Sequence, residues 1–392
     1  MAETATHRSG GSQRPLLRIA DIFRRHRKAL EAKHVLNLGQ RRLLGAIVAC
    51  RTPALGAQLH VCRICQAVHP VYLSCRKRGC PNCQALAQEQ WIAQRRERIL
   101  PVRHFHLVFT LPSELRWLAM NHPALLYGAF FRIVGAILEE MGRDHLKATL
   151  GWTMVLHTWR RDLGPHIHIH VLVTAGGLLL DGSAFKHVAG LYLFSGEAMG
   201  ILLRGKMLDA LREYQAAGFF PELDDRAFNE LMARLARHPS WVVHAEPPFR
   251  DPSHLLNYLG RYVHRIALSD SRLVEATPER VTFTTRDGNT ASMDPVRFMH
   301  RFLQHVLPQG FHKVRHGGLY ASTRKGGRLD QARALLEQEV DPEEAAKWQR
   351  GTAETMAKLV FEGHPCPDCG GIMGRTNVRI PGLRAPPGGC DA

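Results

Sequence analysis

A chain of 392 residues, 45% apolar and 22% charged, holds enough apolar material for two or three domains with cores of their own, which excludes a disordered tail. Lys and Arg number 52 against 35 Asp and Glu, a net charge of +17 with a pI near 9.9, and so basic a balance points to a polyanionic partner, nucleic acid first. The opening MAETATHRSGGSQRP has no apolar h-region, and the most apolar stretch, 117–139, is broken by Asn121, His122, Pro123 and Arg132, so neither a signal peptide nor a membrane span is expected and a cytoplasmic location is.

Residues 1–16 read as a flexible leader, followed by helical periodicity over 17–49 with basic clusters such as Arg24-Arg25-His26-Arg27. Nine cysteines, an odd number without a secretion signal, predict thiols that ligate metal in a reducing compartment rather than pair as disulfides. Cys62-Arg-Ile-Cys65 and Cys80-Pro-Asn-Cys83 give C-x2-C-x14-C-x2-C, close to zinc-ribbon spacing, and predict a closed four-thiolate Zn2+ site in a module over about 50–85. Cys75 is the candidate to replace one of these ligands, and Cys50 is expected in the core. Between the two pairs Arg76, Lys77 and Arg78 form a basic patch suited to DNA phosphates.

A helix over 85–99 leads to the strand HFHLVFTLP, 104–112, which Pro112 ends. The helix expected over 123–141 carries Leu126, Phe130, Ile133 and Ile137 on one core-facing stripe. The strand GWTMVLHTW, 151–159, and a hairpin-like turn RRDLG then introduce GPHIHIHVLVTAGG, 164–177. Its period of two sets His166, His168 and His170 on one face and Ile167, Ile169, Val171 and Val173 on the other. Neutral imidazole is the commonest metal-binding side chain. Residues two apart on a strand lie roughly 7 Å apart and four apart roughly 13 Å, so one ion takes His166 with His168 or His168 with His170, not all three.

Helices are expected over 197–217 and 224–237, then a strand WVVHAEPPF closed by Pro247-Pro248. Asp251-Pro252-Ser253 opens the helix HLLNYLGRYVHRIA, in which Tyr258 and Tyr262 stand one turn apart on one face. A phenol, with a pKa of about 10, attacks a phosphate well only when the phosphate is activated, and a divalent ion does that. A strand VTFTT, a turn at Asp287-Gly288 and a helix over 293–306 follow. From 323 to 392 the chain is basic, then Gly- and Pro-rich, and a partly disordered tail is expected; its Cys366 and Cys369 would need His364, Cys390 or another chain to close a metal site. Helices and strands alternate without a βαβ repeat, which predicts an α+β fold: a central antiparallel sheet with helices on one face, preceded by a small zinc ribbon. The domains expected are 17–100, helical and zinc-binding, and 101–322, which carries the chemistry.

The motifs CRTPALG, SCRKRGCPNCQ, HFHLVFTLP, HIHIHVLVTAGG, WVVHAEPPF, YLGRYVHRIALS and FLQHVLPQGFHKVRHGGL, spread over about 20–322, resemble the rolling-circle transposases of the HUH, two-tyrosine class, insertion-sequence family ninety-one. The resemblance implies a sheet of HUH-endonuclease type with the histidine strand under the tyrosine helix. It implies that His168-Ile169-His170 supplies two ligands for a catalytic Mg2+ or Mn2+, with His166 a candidate third. It also implies that Tyr258 and Tyr262 are the nucleophiles and that Cys62, Cys65, Cys80 and Cys83 hold the zinc. Gly79 departs from the family, which usually has a histidine there. The function implied is cleavage and rejoining of single-stranded DNA at insertion-sequence ends through a covalent 5′-phosphotyrosine. The alternative is a non-catalytic zinc-ribbon DNA-binding protein, a decayed transposase.

Overall fold

The structure, a computed structural model, describes residues 17–382 apart from 240, 250–255, 257, 258, 261, 262, 264–267, 286, 287, 322–325 and 340–363. Two helices, α1 (Ile19–Lys33) and α2 (Leu38–Ala49), open it, the second started by a capping box in which Asn37 and Gln40 satisfy each other's backbone N–H. Strands β1 (Ala57–Cys62) and β2 (Val68–Tyr72) precede α3 (Ala85–Arg98) and β3 (His104–Thr110). Helices α4 (Arg116–Asn121) and α5 (Pro123–Met141) lead to the long hairpin β4 (Ala148–Trp159) and β5 (Pro165–Leu179), then the short β6 (Phe185–His187). Next come α6 (Gly196–Ala216) and α7 (Asp225–Arg237), each begun by a side-chain cap from Ser195 and Asp224, and β7 (Val243–Phe249). The strands β8 (Leu273–Ala276), β9 (Val281–Thr284) and β10 (Thr290–Met293), α8 (Pro295–Leu303), β11 (Val314–Gly318), α9 (Arg328–Glu337), β12 (His364–Pro365) and β13 (Ile372–Ile380) complete it.

The fold is α+β, and its central sheet is antiparallel, in the order β11-β4-β5-β3-β7, with β6 alongside β5. Pro247 and Pro248 sit within β7 rather than closing it. Proline cannot donate to a ladder, and β7 tolerates it as an edge strand with an irregular register there. One sheet face presents Ile167, Ile169, Val171 and Val173 of β5 with Phe105, Leu107 and Phe109 of β3, and α4 to α7 bury it in the largest core. The other face carries the histidines and, further along β5 and β4, the apolar Leu172 and Val155. It has a smaller cover of its own: Ile92 of α3, the helical residues Leu256, Leu259 and Val263, and Leu329, Ala332 and Leu336 of α9.

Two long-range pairings differ from what local sequence suggests. The N-terminal helices share a core with α8 and the small sheet β10-β9-β8, where Phe23 meets Phe302 edge to face at 5.4 Å, so α1 and α2 pack with elements more than 200 positions later in the chain. Within the tail, expected to be partly disordered, β13 pairs antiparallel with β1 in a sheet of order β12-β13-β1-β2. The Gln58 side chain donates to the Val378 carbonyl at 2.9 Å, and the Thr376 hydroxyl donates to the Leu59 carbonyl at 2.8 Å. Most of β13 is exposed, which allows it a polar sequence without the apolar alternation that marks a half-buried strand. Among the described residues no helix is long and apolar enough to cross a membrane.

Candidate functional site

The histidine face is assembled by cross-strand register. On β5, His168 stands opposite His157 of β4, and His170 stands opposite Val155. At the hairpin end Trp159 pairs with Pro165, a register that carried on unbroken would put His157 opposite Ile167 and so on the apolar face; a bulge between His157 and Trp159 shifts it by one residue. As a result one ligand nitrogen each from His157, His168 and His170 lies within 4.8 Å of the others. The rings of His157 and His170 are 4.2 Å apart, and those of His168 and His170 4.9 Å. His166, the candidate third ligand from sequence, is not in this group. Its ring lies 4.7 Å from that of His168, and the third member of the group is His157.

Hydrogen bonds orient the rings of His168 and His170. The Nδ1–H of His168 donates to the His166 carbonyl at 3.0 Å, which turns its Nε2 toward the cluster. Glu246 on β7 accepts from His106 Nδ1 at 2.8 Å, so His106 Nε2 is the acceptor for His170 Nδ1–H at 2.8 Å and His170 too presents Nε2. Burial, then the neighbouring imidazoles, holds His157 and His170 well below the ordinary histidine pKa, and His168 is pushed down to about 4 for the same reasons. All three are therefore neutral at pH 7, the state a metal needs. An all-imidazole donor set fits a transition ion better than Mg2+, which prefers oxygen, so of the two ions expected Mn2+ suits these residues.

Tyr258 and Tyr262 lie outside the described residues. Their described neighbours Leu256, Leu259, Gly260 and Val263 are helical and buried, and the three apolar side chains share a core with Leu172 and Val155, two residues along β5 and β4 from His170 and His157. A Cβ at Gly260 would stand 2.6 Å from Ile92 of α3, so glycine is what lets that turn approach so closely.

The cysteines are grouped differently from the ribbon read in the sequence. Cys80 and Cys83 lie with Cys50 and Cys75, whereas Cys62 and Cys65 lie with Cys366 and Cys369, each set having its four sulfurs within 4.8 Å. The predicted quartet Cys62, Cys65, Cys80 and Cys83 is thus divided between two clusters. The reason is that β1 and β2 carry the first pair away along their own sheet, while Cys80 and Cys83 turn back to the end of α2, where Cys50 caps the helix. Cys75, in C-x4-C-x2-C with Cys80 and Cys83, was the local signal for this grouping. Arg76, Lys77 and Arg78 are exposed beside it, and Lys77 and Arg78 line a cavity of about 500 Å³ with Arg42 and Lys313. Lys313 is buried over the Trp159 ring, 4.7 Å from its centroid, and burial pushes its pKa down to about 7.

A family described as "Putative transposase" matches residues 151–326, and one described as a transposase zinc-binding domain matches residues 22–111. The chain is 38% identical to "Putative transposase y4qJ" of Sinorhizobium fredii over 334 residues, which are 81% of this chain and 84% of that protein. The "Transposase for insertion sequence element IS801" of Pseudomonas savastanoi pv. phaseolicola is 30% identical over 298 residues, 70% of this chain and 69% of the relative. The chain belongs to the IS91 family of transposases. This transposase acts on DNA, which accounts for its basic surface, and its N-terminal module is a zinc-binding domain. His157, His168 and His170 fall within the first matched region, and His106 and the quartet of Cys50, Cys75, Cys80 and Cys83 within the second. No solved structure matches the transposase.

Proposed function

We propose that this transposase cuts and rejoins single-stranded DNA at the ends of an insertion sequence, through a covalent bond between a tyrosine and the 5′ phosphate. The observation that best supports the reading is the convergence of His157, His168 and His170 on a sheet face that Leu256, Leu259 and Val263, sequence neighbours of Tyr258 and Tyr262, help to cover. Those three side chains would hold one divalent ion, Mn2+ or Mg2+. When bound, the ion supplies Lewis-acid polarisation of a phosphate oxygen.

The chain's own part is binding, positioning and nucleophilic attack. Arg76, Lys77 and Arg78, with Arg42 at the adjoining cavity, hold phosphates by charge. The phenol oxygen of Tyr258 or Tyr262 bonds to phosphorus as the bond to the 3′ oxygen breaks, so the protein stays on the 5′ phosphate and the strand end is a free 3′ hydroxyl. The phosphodiester's energy is conserved in the phosphotyrosine for rejoining, and two tyrosines let two strands be held in sequence. A phenol on a helix packed against a sheet has no route to phosphorus inside an intact duplex, which favours single strands. Each cysteine quartet would hold a zinc ion with all four positions filled by thiolates, which suits a structural role.

The test is to incubate the full chain with a single-stranded oligonucleotide of the element's end, with and without Mn2+ or Mg2+, and look for a gel-shifted covalent adduct. A 5′-linked adduct is expected, lost in the Tyr258→Phe, Tyr262→Phe double variant. Cleavage with no attached protein at any time would hand the case to a metal-activated water, and binding without cleavage would favour the non-catalytic reading.

A further inference from the structure

The chain joins residues some 300 positions apart at its second cluster of thiols. Cys62 ends β1 and Cys65 stands in the turn before β2, while Cys366 and Cys369 lie in the turn between β12 and β13. The register of β1 with β13 sets Cys62 opposite Met373, so the two turns face each other at one end of the sheet. The sulfur of Cys62 is 3.4 Å from that of Cys369, and Cys65 is 3.7 Å from Cys366. A disulfide needs about 2.05 Å. Four sulfurs tetrahedral about zinc, at Zn–S distances of about 2.3 Å, stand roughly 3.8 Å apart, and the observed spacings are close to that.

Each C-x2-C is also shaped as a knuckle. The backbone N–H groups of Ile64 and Cys65 point at the Cys62 sulfur at 3.4 and 3.5 Å, and the opposite turn is closed by Gly370 N–H donating to the Cys366 carbonyl at 2.9 Å. Apolar packing is too slight to do the same work. The cluster here consists of Cys62, Cys366 and Met373, with Ala67 against it, and a sheet with so small a core needs a metal or a cross-link to stay ordered. Half of the ligands, Cys366 and Cys369, lie beyond both regions matched by the transposase families, which end at residues 111 and 326.

We propose that Cys62, Cys65, Cys366 and Cys369 bind a second structural Zn2+, separate from the one suited to Cys50, Cys75, Cys80 and Cys83, and that this ion staples residues 364–380 onto the N-terminal zinc module. Four thiolates close the coordination shell, so the ion has no part in chemistry. Its role is to make the C-terminal segment a fixed part of the module that adjoins the DNA-binding cavity.

Two measurements on the full chain, neither involving DNA cleavage, test the site. Elemental analysis is expected to find two zinc ions per chain in the unsubstituted protein and one in the Cys366→Ser, Cys369→Ser double variant. The Cys75→Ser, Cys83→Ser variant should also lose one ion while keeping the staple. The second measurement needs no variant: Cys65 and Cys369 are exposed, so slow alkylation of them by iodoacetamide reports metal ligation rather than burial. Peptide mapping should find both protected in the zinc-loaded chain and fast to react after chelation. One zinc per chain without substitution, retention of both ions in the Cys366→Ser, Cys369→Ser variant, or alkylation of Cys369 at the same rate before and after chelation would each overturn the proposal.

Discussion

Replacing His106 by alanine is expected to weaken binding of the proposed divalent ion while leaving His157, His168 and His170 in place. Its Nε2 accepts from His170 Nδ1–H at 2.8 Å, and its own Nδ1–H is held by Glu246 at 2.8 Å, so the carboxylate fixes the tautomer of one ring and that ring fixes the next. Alanine removes the acceptor that turns His170 Nε2 toward the cluster. It also removes the electron donation that passes from Glu246 through the imidazole. Loss of such a partner behind a ligating histidine costs 10- to 100-fold in metal affinity, about 1.4 to 2.7 kcal/mol. His106 is almost wholly buried, so solvent screening discounts this little, whereas Glu246 is about one-third exposed (37%) and Glu246→Gln should cost less. The assay is a titration with Mn2+ followed by the magnetic resonance signal of the free ion, alongside adduct formation as a function of Mn2+. His106→Ala should shift the midpoint of both upward while saturating Mn2+ restores most of the adduct, and His106→Gln, which can still accept from His170, should fall between. An unchanged Mn2+ midpoint in His106→Ala, or an adduct yield that saturating Mn2+ does not raise, would refute the relay.

His157→Ala should abolish metal binding and adduct formation as fully as His170→Ala, with DNA affinity nearly intact, while His166→Ala should have a smaller effect; the reverse ranking in a Mn2+ titration would restore the register read from sequence. Lys77→Glu with Arg78→Glu should weaken single-stranded DNA whatever its sequence and flatten the salt dependence by about 0.7 in log–log slope for each phosphate no longer neutralised, so a fluorescence-anisotropy slope unchanged in salt would place the DNA elsewhere. Burial holds His104 and His305 each near pKa 4 against 6.5 when unfolded. The unfolded chain takes up their protons first, so this stability is fully present above about pH 6.5 and is lost as pH falls toward 4, at roughly 3 kcal/mol for each group across the window. Thermal melts should therefore show Tm falling from pH 7 to pH 5, and a flat profile would mean that these imidazoles are not buried.

The alternation in HIHIH was enough to assign a strand and its two faces, because side-chain direction on a strand follows from a period of two and needs no knowledge of neighbours, but it left His166 with His168 and His168 with His170 equally open, and only the family resemblance chose the second pair. The helices expected over 123–141 and 224–237, which stand at Pro123–Met141 and Asp225–Arg237, were legible for the same local reason. His157 was not, since a single-residue bulge in the hairpin decides which face it shares, and register is settled by the packing of the whole sheet rather than by β4 itself. His106 and Glu246 come from β3 and β7, 140 positions apart, and become partners only when those strands pair. The cysteines make the distinction sharpest. Spacing identified which residues form knuckles, but one C-x2-C resembles another, and a quartet is chosen by which knuckles the fold brings within a metal–sulfur bond of a common point. The pairing of β13 with β1 brought Cys366 and Cys369 to Cys62 and Cys65, and the turn at the end of α2 brought Cys50 and Cys75 to Cys80 and Cys83.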